Sequence, residues 1–295
     1  MTALVVGGSG LVGGALARAL GRAGIGAAVT RFRGERDGAI ELDVRDEVSV
    51  RACVRRVDPD LVFLAVNNPG GVDRCEDCPD EADALHVQGT RHVAEAAAER
   101  GATLVFYSTD YVFDGAAAPY AEEDRAHPLN HYGRAKLAAE RIIHDLTPAH
   151  LIIRTTAVFG WARTSRNLAM QVWERLGSGG TMRVPQDQQC TPTLADYLAE
   201  VSVRLAGRGV RGVVHVVGGD RMVRSAMAKA LAQAMDLDPG RIMPVPTAES
   251  GQRAPRPLGA VLRTDKMARL LGEAPLDFGE SLRRFRRQWL ADARA

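Results

Sequence analysis

The sequence predicts an α/β fold: a doubly wound parallel sheet followed by a smaller C-terminal lobe. Three observations lead to this prediction. In the first half, short apolar runs alternate with helix-like segments, a rhythm typical of β-α-β units. Several of these runs show no internal polar alternation, as expected for parallel strands covered on both faces. A glycine-rich turn also stands at the first strand–helix junction, where doubly wound sheets bind ligands.

The first half supplies the elements of this sheet in chain order. Six apolar runs are the candidate strands, at 3–6, 27–30, 39–42, 61–66, 104–108 and 151–154. Four segments with helical periodicity lie between them, at 11–23, 46–57, 80–100 and 130–146. Strands that alternate with helices of this length favour one sheet with helices on both faces.

The rhythm breaks after about residue 160, where Gly and Pro become frequent, as at 177–180 and 239–257. We therefore expect a first domain of the Rossmann type at 1–160, which also includes parts of 190–217. Residues 161–295 are expected to form a loop-rich, substrate-binding lobe that is entwined with the first domain.

The composition excludes several classes of protein. The 295 residues are 46% hydrophobic, enough for a sizeable core, so a disordered or fibrous chain is not expected. The 38 basic and 36 acidic residues leave a formal charge of +2, too balanced to indicate a polyanionic partner such as nucleic acid. The N-terminus lacks the pattern of a signal peptide, and no apolar run is long enough to span a bilayer. We expect a cytoplasmic protein without a nucleic-acid or membrane partner.

The four cysteines, Cys53, Cys75, Cys78 and Cys190, are too few and too scattered for a disulfide framework. Cys75 and Cys78 form a CxxC, a spacing shared with redox and zinc sites. A second ligand pair at suitable spacing is missing, and the CxxC does not open a helix in a β-α-β context. We expect two reduced thiols in a loop and no metal site.

The glycine-rich turn follows the first strand directly and continues into an apolar-periodic helix. Glycines suit a chain that turns sharply, lets its backbone approach a pyrophosphate and packs the next helix tightly on the sheet. The helix N-terminus adds free N–H groups and a positive dipole. The pattern predicts a dinucleotide cofactor site made of Gly7, Ser9, Gly10, Leu11, Val12 and Gly13.

The residues after the second strand indicate which dinucleotide binds. An enzyme specific for NAD usually has an acidic residue there for the ribose hydroxyls, whereas this chain has Arg31 and Arg33. Arginine offers a charged fork to a 2′-phosphate, so we expect NADPH. NADH is the alternative if the two arginines are simple surface residues.

Two further strand ends are expected to contact the cofactor. Asp43 and Val44, after the third strand, are placed to meet the adenine, with a helix cap near residue 46 as the alternative role of Asp43. Ala65 and Val66 close the fourth strand, at the edge of the sheet where the carboxyl ends of parallel strands bind ligands.

The candidate acid–base pair is Tyr132 and Lys136, four residues apart and therefore on one face of a helix. Hydride delivery to a ketone builds alkoxide charge on the carbonyl oxygen, which requires a proton donor within hydrogen-bond reach. We expect Lys136 to lower the pKa of the Tyr132 phenol and to hold the nicotinamide ribose. Thr109, at the end of the fifth strand, is expected as a second donor. Because the chain has only three lysines, a chance YxxxK is uncommon.

At these residues the chain resembles the extended short-chain dehydrogenases and, within them, the dTDP-4-dehydrorhamnose reductase family. The string Ser108-Thr109-Asp110-Tyr111-Val112-Phe113-Asp114-Gly115 carries most of the resemblance. The further matches span nearly the whole chain: Pro119-Tyr120 with Glu122, Pro128-Leu129-Asn130, Tyr132-Gly133, Lys136, Glu140, Ile153-Arg154-Thr155, Phe159-Gly160, Thr191-Pro192-Thr193 with Asp196, and Pro255-Arg256-Pro257.

The resemblance implies NADPH-dependent reduction of the C4 ketone of a nucleotide-linked, dTDP-type 4-keto-6-deoxyhexose. It implies that Thr109, Tyr132 and Lys136 are catalytic. It also implies a homodimer formed through the segments 80–100 and 130–146. The implied substrate contacts are Asp110, Tyr111, Arg154, Asn167 and Thr193.

Two positions depart from the family pattern. Residues 66–71 read Val-Asn-Asn-Pro-Gly-Gly where the family usually has Ala-Ala-Tyr-Thr after the fourth strand. This change lies beside the expected nicotinamide and sugar, so it bears on the identity of the substrate. His86 stands where the next helix usually carries an Asn. A packing or hydrogen-bonding histidine is the leading interpretation, and a titrating participant is the alternative.

Two other kinds of function stay open. An epimerase, or a reductase of a non-sugar ketone, would also carry YxxxK, but epimerases retain NAD tightly and the missing acid after Thr30 counts against them. A non-catalytic regulatory subunit that binds the cofactor, such as the β-subunit of methionine adenosyltransferase, shares the Ser-x-Asp-Tyr-Val-Phe-Asp-Gly pattern. Such a subunit has no need for the Thr109, Tyr132 and Lys136 set.

Overall fold

The first half of the chain alternates strands and helices, as its pattern predicts. The structure, a computed structural model, describes residues 1–32 and 38–293. The elements of this half are β1 Thr2–Val6, α1 Leu11–Arg22, β2 Gly26–Arg31, β3 Ile40–Glu41, α2 Glu47–Val57, β4 Leu61–Leu64, α3 Gly71–Asp77, α4 Pro79–Asp83, a π-helical turn Ala84–Gln88, α5 Gly89–Glu99, β5 Thr103–Thr109, a 3₁₀ turn Asp110–Val112, α6 His131–Leu146 and β6 His150–Thr155.

The second half contains more regular structure than its Gly and Pro content suggests. Its elements are β7 Val158–Phe159, α7 Leu168–Gly177, β8 Met182–Pro185, β9 Gln189–Cys190, β10 Thr193–Leu194, α8 Ala195–Gly207, β11 Gly212–His215, β12 Met222–Val223, α9 Arg224–Ala234, a 3₁₀ turn Pro239–Arg241, β13 Ile242–Val245, a 3₁₀ turn Thr247–Glu249, α10 Asp265–Leu271 and α11 Phe278–Ala293. The expectation of a loop-rich lobe underestimates its helices, because Gly and Pro stand mainly between them rather than inside them.

Seven strands form one parallel sheet in the order β11-β6-β5-β4-β1-β2-β3. The chain winds outward from β1 through β2 and β3, then returns to the other side of β1 to add β4, β5 and β6. The strand order therefore reverses between β1 and β4, which opens a crevice at their carboxyl ends. This order confirms the predicted fold class. The seventh strand, β11, lies within 190–217, and the division into two domains stays a prediction.

The core has two layers, one on each face of the sheet. Ala3 and Val5 of β1 face one layer, whereas Leu4 and Val6 face the other, because successive side chains of a strand point to opposite faces. Buried side chains of α1, α7 and α8 fill the first layer, among them Leu16, Val172 and Leu198. Buried side chains of α2, α5 and α6 fill the second layer, among them Val50, Val93 and Ile143.

The start of α6 is anchored by the buried Asn130. Its side-chain oxygen accepts the N–H of Gly133 at 2.8 Å, and its amide donates to the carbonyl of Pro255 at 2.8 Å. The first bond caps the helix, since it satisfies one of the N–H groups that a helix end leaves unpaired. The second ties the beginning of α6, two residues before Tyr132, to the second half of the chain.

Two details differ from the expected elements. The predicted helix at 80–100 consists of α4, a π-helical turn and α5 in succession. Cys75 is buried within α3 rather than in a loop, and Cys78 follows that helix; both thiols are free. Within residues 1–32 and 38–293, no helix has the combined length and apolarity that crossing a bilayer requires.

Candidate active site

The glycine-rich turn between β1 and α1 leaves no room for side chains. A Cβ at Gly13 would lie 2.2 Å from the carbonyl oxygen of Gly7, and one at Gly8 would lie 1.9 Å from Cγ1 of Val29. Gly7 itself has a φ of +88°, which L side chains rarely adopt. The glycines thus let the turn pack closely against β4, Val29 and the start of α1, and a tight glycine turn of this kind, here called the cradle, fits the pyrophosphate of a dinucleotide.

The N-terminus of α1 points into the same turn. Gly10 is its N-cap, and no acidic residue stands in the first turn of this helix, all of which the structure describes. The first N–H groups of a helix lack partners within it and carry the positive end of the dipole, so they suit phosphate oxygens. Ser9 and Gly10 are exposed, while Leu11 and Val12 are half-buried.

The end of β4 lies against this turn. A Cβ at Gly7 would approach the carbonyl oxygen of Ala65 to 2.9 Å and Cγ2 of Val66 to 3.2 Å. The segment 66–71, which departs from the family pattern, then leads into α3. Two hydrogen bonds hold it: the side-chain oxygen of Asn67 accepts the N–H of Asn68, and the side-chain oxygen of Asn68 accepts the N–H of Gly70, both at 2.9 Å. Ala65 and Val66 therefore lie next to the cradle, and their contact with the cofactor stays a prediction.

Arg31 ends β2 on the same edge of the sheet. Its Nη2 lies 3.3 Å from Oε2 of Glu41, its partner on β3, and the Glu41 side chain is 73% exposed. Exposed ion pairs of this kind contribute about 0–1 kcal/mol, so Arg31 can exchange Glu41 for a phosphate. Arg33 lies outside the described residues. Glu41 was not foreseen from the sequence, because the pairing of β2 with β3 was needed to bring it beside Arg31.

Asp43 and Val44 follow β3. The carboxylate of Asp43 accepts bonds from Nε and Nη2 of Arg45 at 2.9 and 2.7 Å, and the carbonyl of Val44 lies 2.9 Å from Nδ1 of His92. The alternative that Asp43 caps α2 is wrong, because Asp46 is the cap and accepts the N–H groups at the start of that helix. The contact of Asp43 and Val44 with adenine stays a prediction.

Thr109, Tyr132 and Lys136 meet at the carboxyl end of β5. Thr109 is the last residue of this strand, and its side chain is close enough to the Tyr132 phenol to lower its pKa. Nζ of Lys136 lies 5.9 Å from the centre of the Tyr132 ring and donates to the carbonyl of Tyr107 at 3.0 Å. The structure thus brings together the three residues that the sequence singles out as catalytic.

Burial governs the electrostatics of this cluster. It raises the pKa of the Tyr132 phenol well above its ordinary value of 10, and the nearby Cys75 and Asp110 raise it further. Burial also lowers the pKa of Lys136 to about 8. Burial disfavours the charged phenolate, so it opposes the lowering of the Tyr132 pKa that the sequence leads us to expect. A phenol that keeps its proton at neutral pH is suited to donate it.

Asp110 follows Thr109 and is 5% exposed. Its carboxylate accepts bonds from the hydroxyls of Thr109 at 3.1 Å and Thr156 at 2.8 Å. Burial raises the pKa of Asp110 to about 7, an effect that these hydrogen bonds reduce. Thr156 was missed from the sequence. The available signal was that it follows β6 just as Asp110 follows β5, and adjacent parallel strands end at the same edge.

Tyr111 completes this side of the crevice. Its ring centre lies 6.2 Å from that of Tyr132, edge to face, and the guanidinium of Arg256 lies 5.9 Å from it. Arg256 is held by Asp73 at 2.9 Å. Asp110 and Tyr111, two of the five predicted substrate contacts, therefore adjoin the catalytic cluster.

The other three predicted substrate residues bind the protein itself. Arg154 is paired with Glu140 in the core. Asn167 caps α7 through the N–H of Ala169 and donates to the carbonyl of Gly160, both at 3.0 Å. The fully buried Thr193 donates to the carbonyl of Thr191 at 3.0 Å. These contacts disfavour direct substrate roles. A sequence match gives the residue type but not its partner, so the difference was not visible beforehand.

Two buried side chains flank the acid–base pair. The ring centre of His86 lies 5.6 Å from that of Tyr132, with the rings edge to face, and burial lowers the pKa of His86 well below 6.5. Burial raises the pKa of the Cys75 thiol to about 11, an effect that Lys136 reduces. The sequence singles out His86 as a departure, whereas nothing in the CxxC indicates that Cys75 lies beside Lys136.

A doubly wound sheet, a glycine cradle at its first turn and a strand-end Thr facing Tyr-x-x-x-Lys define the extended short-chain dehydrogenase class. Within that class, the family model "RmlD substrate binding domain" matches residues 1–290, and the chain belongs to this family. The resemblance that the motifs indicate is thereby confirmed.

Named relatives agree with this membership. The chain is 33% identical over 280 residues to the dTDP-4-dehydrorhamnose reductase of Salmonella typhimurium, covering 91% of each chain. It is 30% identical over 278 residues to methionine adenosyltransferase 2 subunit beta of Danio rerio, covering 91% of this chain and 84% of that one. Its structure is similar to that of dTDP-4-dehydrorhamnose reductase from Bacillus anthracis in complex with NADP, with a TM-score of 0.86, 27% identity and coverage of 96% and 98%.

Proposed function

We propose that this protein is an NADPH-dependent ketoreductase that reduces the 4-keto group of a nucleotide-activated, dTDP-linked 4-keto-6-deoxyhexose. The observation that carries the proposal is the cluster of Thr109, Tyr132 and Lys136 at the carboxyl end of β5, beside the glycine cradle. The similarity to dTDP-4-dehydrorhamnose reductases over most of the chain supports this substrate class.

The cofactor fits the cradle from Gly7 to Gly13. The glycine turn and the N–H groups of α1 would hold the pyrophosphate, and Arg31 would hold the 2′-phosphate. Ala65, Val66 and Lys136 would hold the nicotinamide end. When bound, NADPH supplies the hydride. The NADP complex of the Bacillus anthracis relative supports NADPH over NADH.

Tyr132 supplies the proton. The carbonyl oxygen gains negative charge as the ketone is reduced, and the Tyr132 hydroxyl, fixed beside Thr109, donates to it. Lys136 stabilises the resulting phenolate, because an ammonium nearby favours the charged form. Thr109 helps to hold the carbonyl, and its hydroxyl donates a hydrogen bond to Asp110 when no ketone competes for it. Asp110 and Tyr111 line the substrate side of the crevice.

The remaining expectations belong to this proposal as well. The protein acts in the cytoplasm as a homodimer formed through the segments 80–100 and 130–146, without a nucleic-acid or membrane partner. Residues 1–160 with parts of 190–217 bind the cofactor, and 161–295 bind the sugar nucleotide.

A regulatory role is the second candidate. The similarity to a methionine adenosyltransferase subunit over 91% of the chain favours it. In that case the cradle binds the cofactor, and the protein acts through a partner enzyme rather than through Tyr132.

The deciding experiment is NADPH consumption by the purified protein across a panel of dTDP-4-keto-6-deoxyhexoses. Tyr132→Phe is expected to reduce turnover by about 10²–10⁴-fold, the range for a lost proton-transfer group. Tyr197→Phe is the matched control, since this buried tyrosine contacts Met267 away from the cluster and is expected to leave turnover unchanged. Undiminished turnover in Tyr132→Phe would disprove the proton-donor assignment. Absence of NADPH oxidation with every sugar, with copurification of a partner enzyme, would favour the regulatory role.

A further inference from the structure

The carboxylate of Asp73, in the first turn of α3, holds a segment from the end of the chain against the crevice. Its Oδ1 atom accepts the N–H groups of Arg253 and Ala254 at 3.1 and 3.0 Å, and Nη2 of Arg256 at 2.9 Å. Nη1 of Arg256 donates to the carbonyl of Ala254 at 2.8 Å, and the Arg256 side chain is only 7% exposed. The Arg256 guanidinium is therefore held from two sides in one position.

The same segment is also tied to the catalytic helix. The amide of Asn130, the N-cap of α6, donates to the carbonyl of Pro255 at 2.8 Å. On the other side, α3 begins where the segment 66–71 ends, so the course of that segment determines where Asp73 stands. Arg256 is thus fixed relative to both α3 and α6.

The backbone of Tyr111 is fixed independently of its ring. Its N–H donates to Oγ1 of Thr109 at 3.1 Å, and its carbonyl oxygen lies so close to α6 that a Cβ at Gly133 would stand 2.2 Å from it. The side chain can still choose among staggered rotamers. The Arg256 guanidinium lies over the Tyr111 ring, 5.9 Å from its centre, and the Tyr132 ring meets it edge to face. These two neighbours therefore favour one direction of the ring.

The Tyr111 hydroxyl is available to a ligand. The residue is half-buried, and its hydroxyl has no hydrogen-bond partner among residues 1–32 and 38–293. A phenolic O–H both donates and accepts, so it suits a hydroxyl of a sugar that is bound beside Tyr132. A guanidinium over the face of a tyrosine ring attracts that ring, so Arg256 can hold the hydroxyl in place.

We propose that Asp73 is a positioning residue for the sugar: it holds Arg256 against the Tyr111 ring and so directs the Tyr111 hydroxyl towards the sugar beside Tyr132. This role rests on the proposed function for its class of substrate, a nucleotide-linked deoxyhexose. Asp73 touches no substrate in this arrangement and acts only through Arg256 and Tyr111.

Calorimetric titration of the NADP-bound protein with dTDP-rhamnose and with dTDP tests this role without requiring turnover. Asp73→Asn keeps an oxygen for the two backbone N–H groups and removes the charge that holds Arg256. This variant is expected to weaken dTDP-rhamnose binding by about 10-fold, within the range of one desolvated cation–π contact. Binding of dTDP is expected to stay unchanged, because dTDP lacks the sugar. Asp73→Ala is expected to show the same difference between the two ligands.

Two further variants separate this role from a general effect on the fold. In a Tyr111→Phe background, Asp73→Asn is expected to have no additional effect on dTDP-rhamnose affinity, because the hydroxyl that Asp73 positions is gone. Asp77→Asn is the matched control in the same helix. Asp77 pairs with the exposed Arg253, and its substitution is expected to change neither affinity.

Three results would overturn the role of Asp73: unchanged dTDP-rhamnose binding in Asp73→Asn, an equal loss of dTDP binding, or additive effects of Asp73→Asn and Tyr111→Phe. In steady state, Asp73→Asn is expected to raise KM for the keto-sugar more than it lowers kcat, as for a lost binding contact. Protein that binds dTDP-rhamnose in this Asp73-dependent way but oxidises no NADPH with any keto-sugar would support the role of Asp73 and refute the ketoreductase function. Wild-type protein that binds neither ligand would refute both.

Discussion

Arg154 and Glu140 form a two-point ion pair beneath the catalytic helix. Nε and Nη2 of Arg154, on β6, donate to the two carboxylate oxygens of Glu140, on α6, at 3.0 and 2.7 Å, and both side chains are less than a tenth exposed. Glu140 lies one turn after Lys136, on the face of α6 that also carries Tyr132. The pair therefore fixes the position of the acid–base pair over the sheet.

Arg154→Met is expected to destabilise the protein by about 3–5 kcal/mol, because it leaves the buried Glu140 carboxylate without its counter-charge and with only the Ser108 hydroxyl as a hydrogen-bond donor. Urea unfolding measures this loss. The double variant Arg154→Met, Glu140→Leu removes both charges and is expected to regain most of the stability. Arg22→Met, which breaks an exposed pair with Glu200, is the matched control and is expected to cost at most about 1 kcal/mol. An Arg154→Met variant as stable as wild type would contradict the structural role.

Gly13→Ala is expected to abolish cofactor binding. The new Cβ would lie 2.2 Å from the Gly7 carbonyl oxygen and 2.7 Å from Cα of Gly8, both backbone atoms, so the turn itself must shift. Titration of intrinsic fluorescence with NADPH measures the effect. The control is Gly21→Ala in the same helix, where a Cβ meets nothing within 4 Å. Helix propensity predicts that Gly21→Ala stabilises the protein by up to about 1 kcal/mol with unchanged NADPH affinity. Normal NADPH binding by Gly13→Ala would refute the assignment of the cradle.

The sequence was enough to predict the sheet and the cofactor turn, since both rest on local patterns. Buried runs such as Leu61–Leu64 and the spacing from Gly7 to Gly13 are visible in single segments. The α6 pair was also predictable, because four residues make one helical turn. These features need no knowledge of which strands are neighbours.

The contacts that depend on packing between distant segments were not predictable. Glu41 reaches Arg31 only because β3 pairs with β2, and Thr156 reaches Asp110 only because β6 pairs with β5. The substrate role expected for Arg154 follows from the family resemblance, and its partner Glu140 is visible only in the fold. Burial, which dominates the pKa of Tyr132, is likewise a property of the folded protein.

Arg31→Ser is expected to weaken NADPH binding by about 10- to 100-fold, the effect of losing a charge-assisted hydrogen bond of about 1.5–3 kcal/mol. NADH binding is expected to stay unchanged, because NADH lacks the 2′-phosphate. The ratio of kcat/KM with the two cofactors measures the preference. Glu41→Gln removes the carboxylate that competes for Arg31 and is expected to strengthen NADPH binding. An unaltered preference for NADPH over NADH in Arg31→Ser would show that another residue binds the 2′-phosphate.

Asp110 gives the protein a pH-dependent stability of known sign. Its pKa is about 7 in the folded protein and 3.8 as an ordinary value, so between these pH values the folded state holds a proton that the unfolded state has lost. The stabilisation from this group is present below about pH 4 and is lost as pH rises through 7, by up to roughly 1.4 kcal/mol per pH unit. Asp110→Asn removes the dependence, so its free energy of unfolding relative to wild type is expected to rise across this window.

Asp114→Asn is the opposite control. The pKa of Asp114 is about 2, held down first by the Tyr120 hydroxyl, so this variant is expected to lose most stability above about pH 4. Urea unfolding over this pH range measures both, and a difference between Asp110→Asn and wild type that does not change with pH would contradict a protonated Asp110 in the crevice.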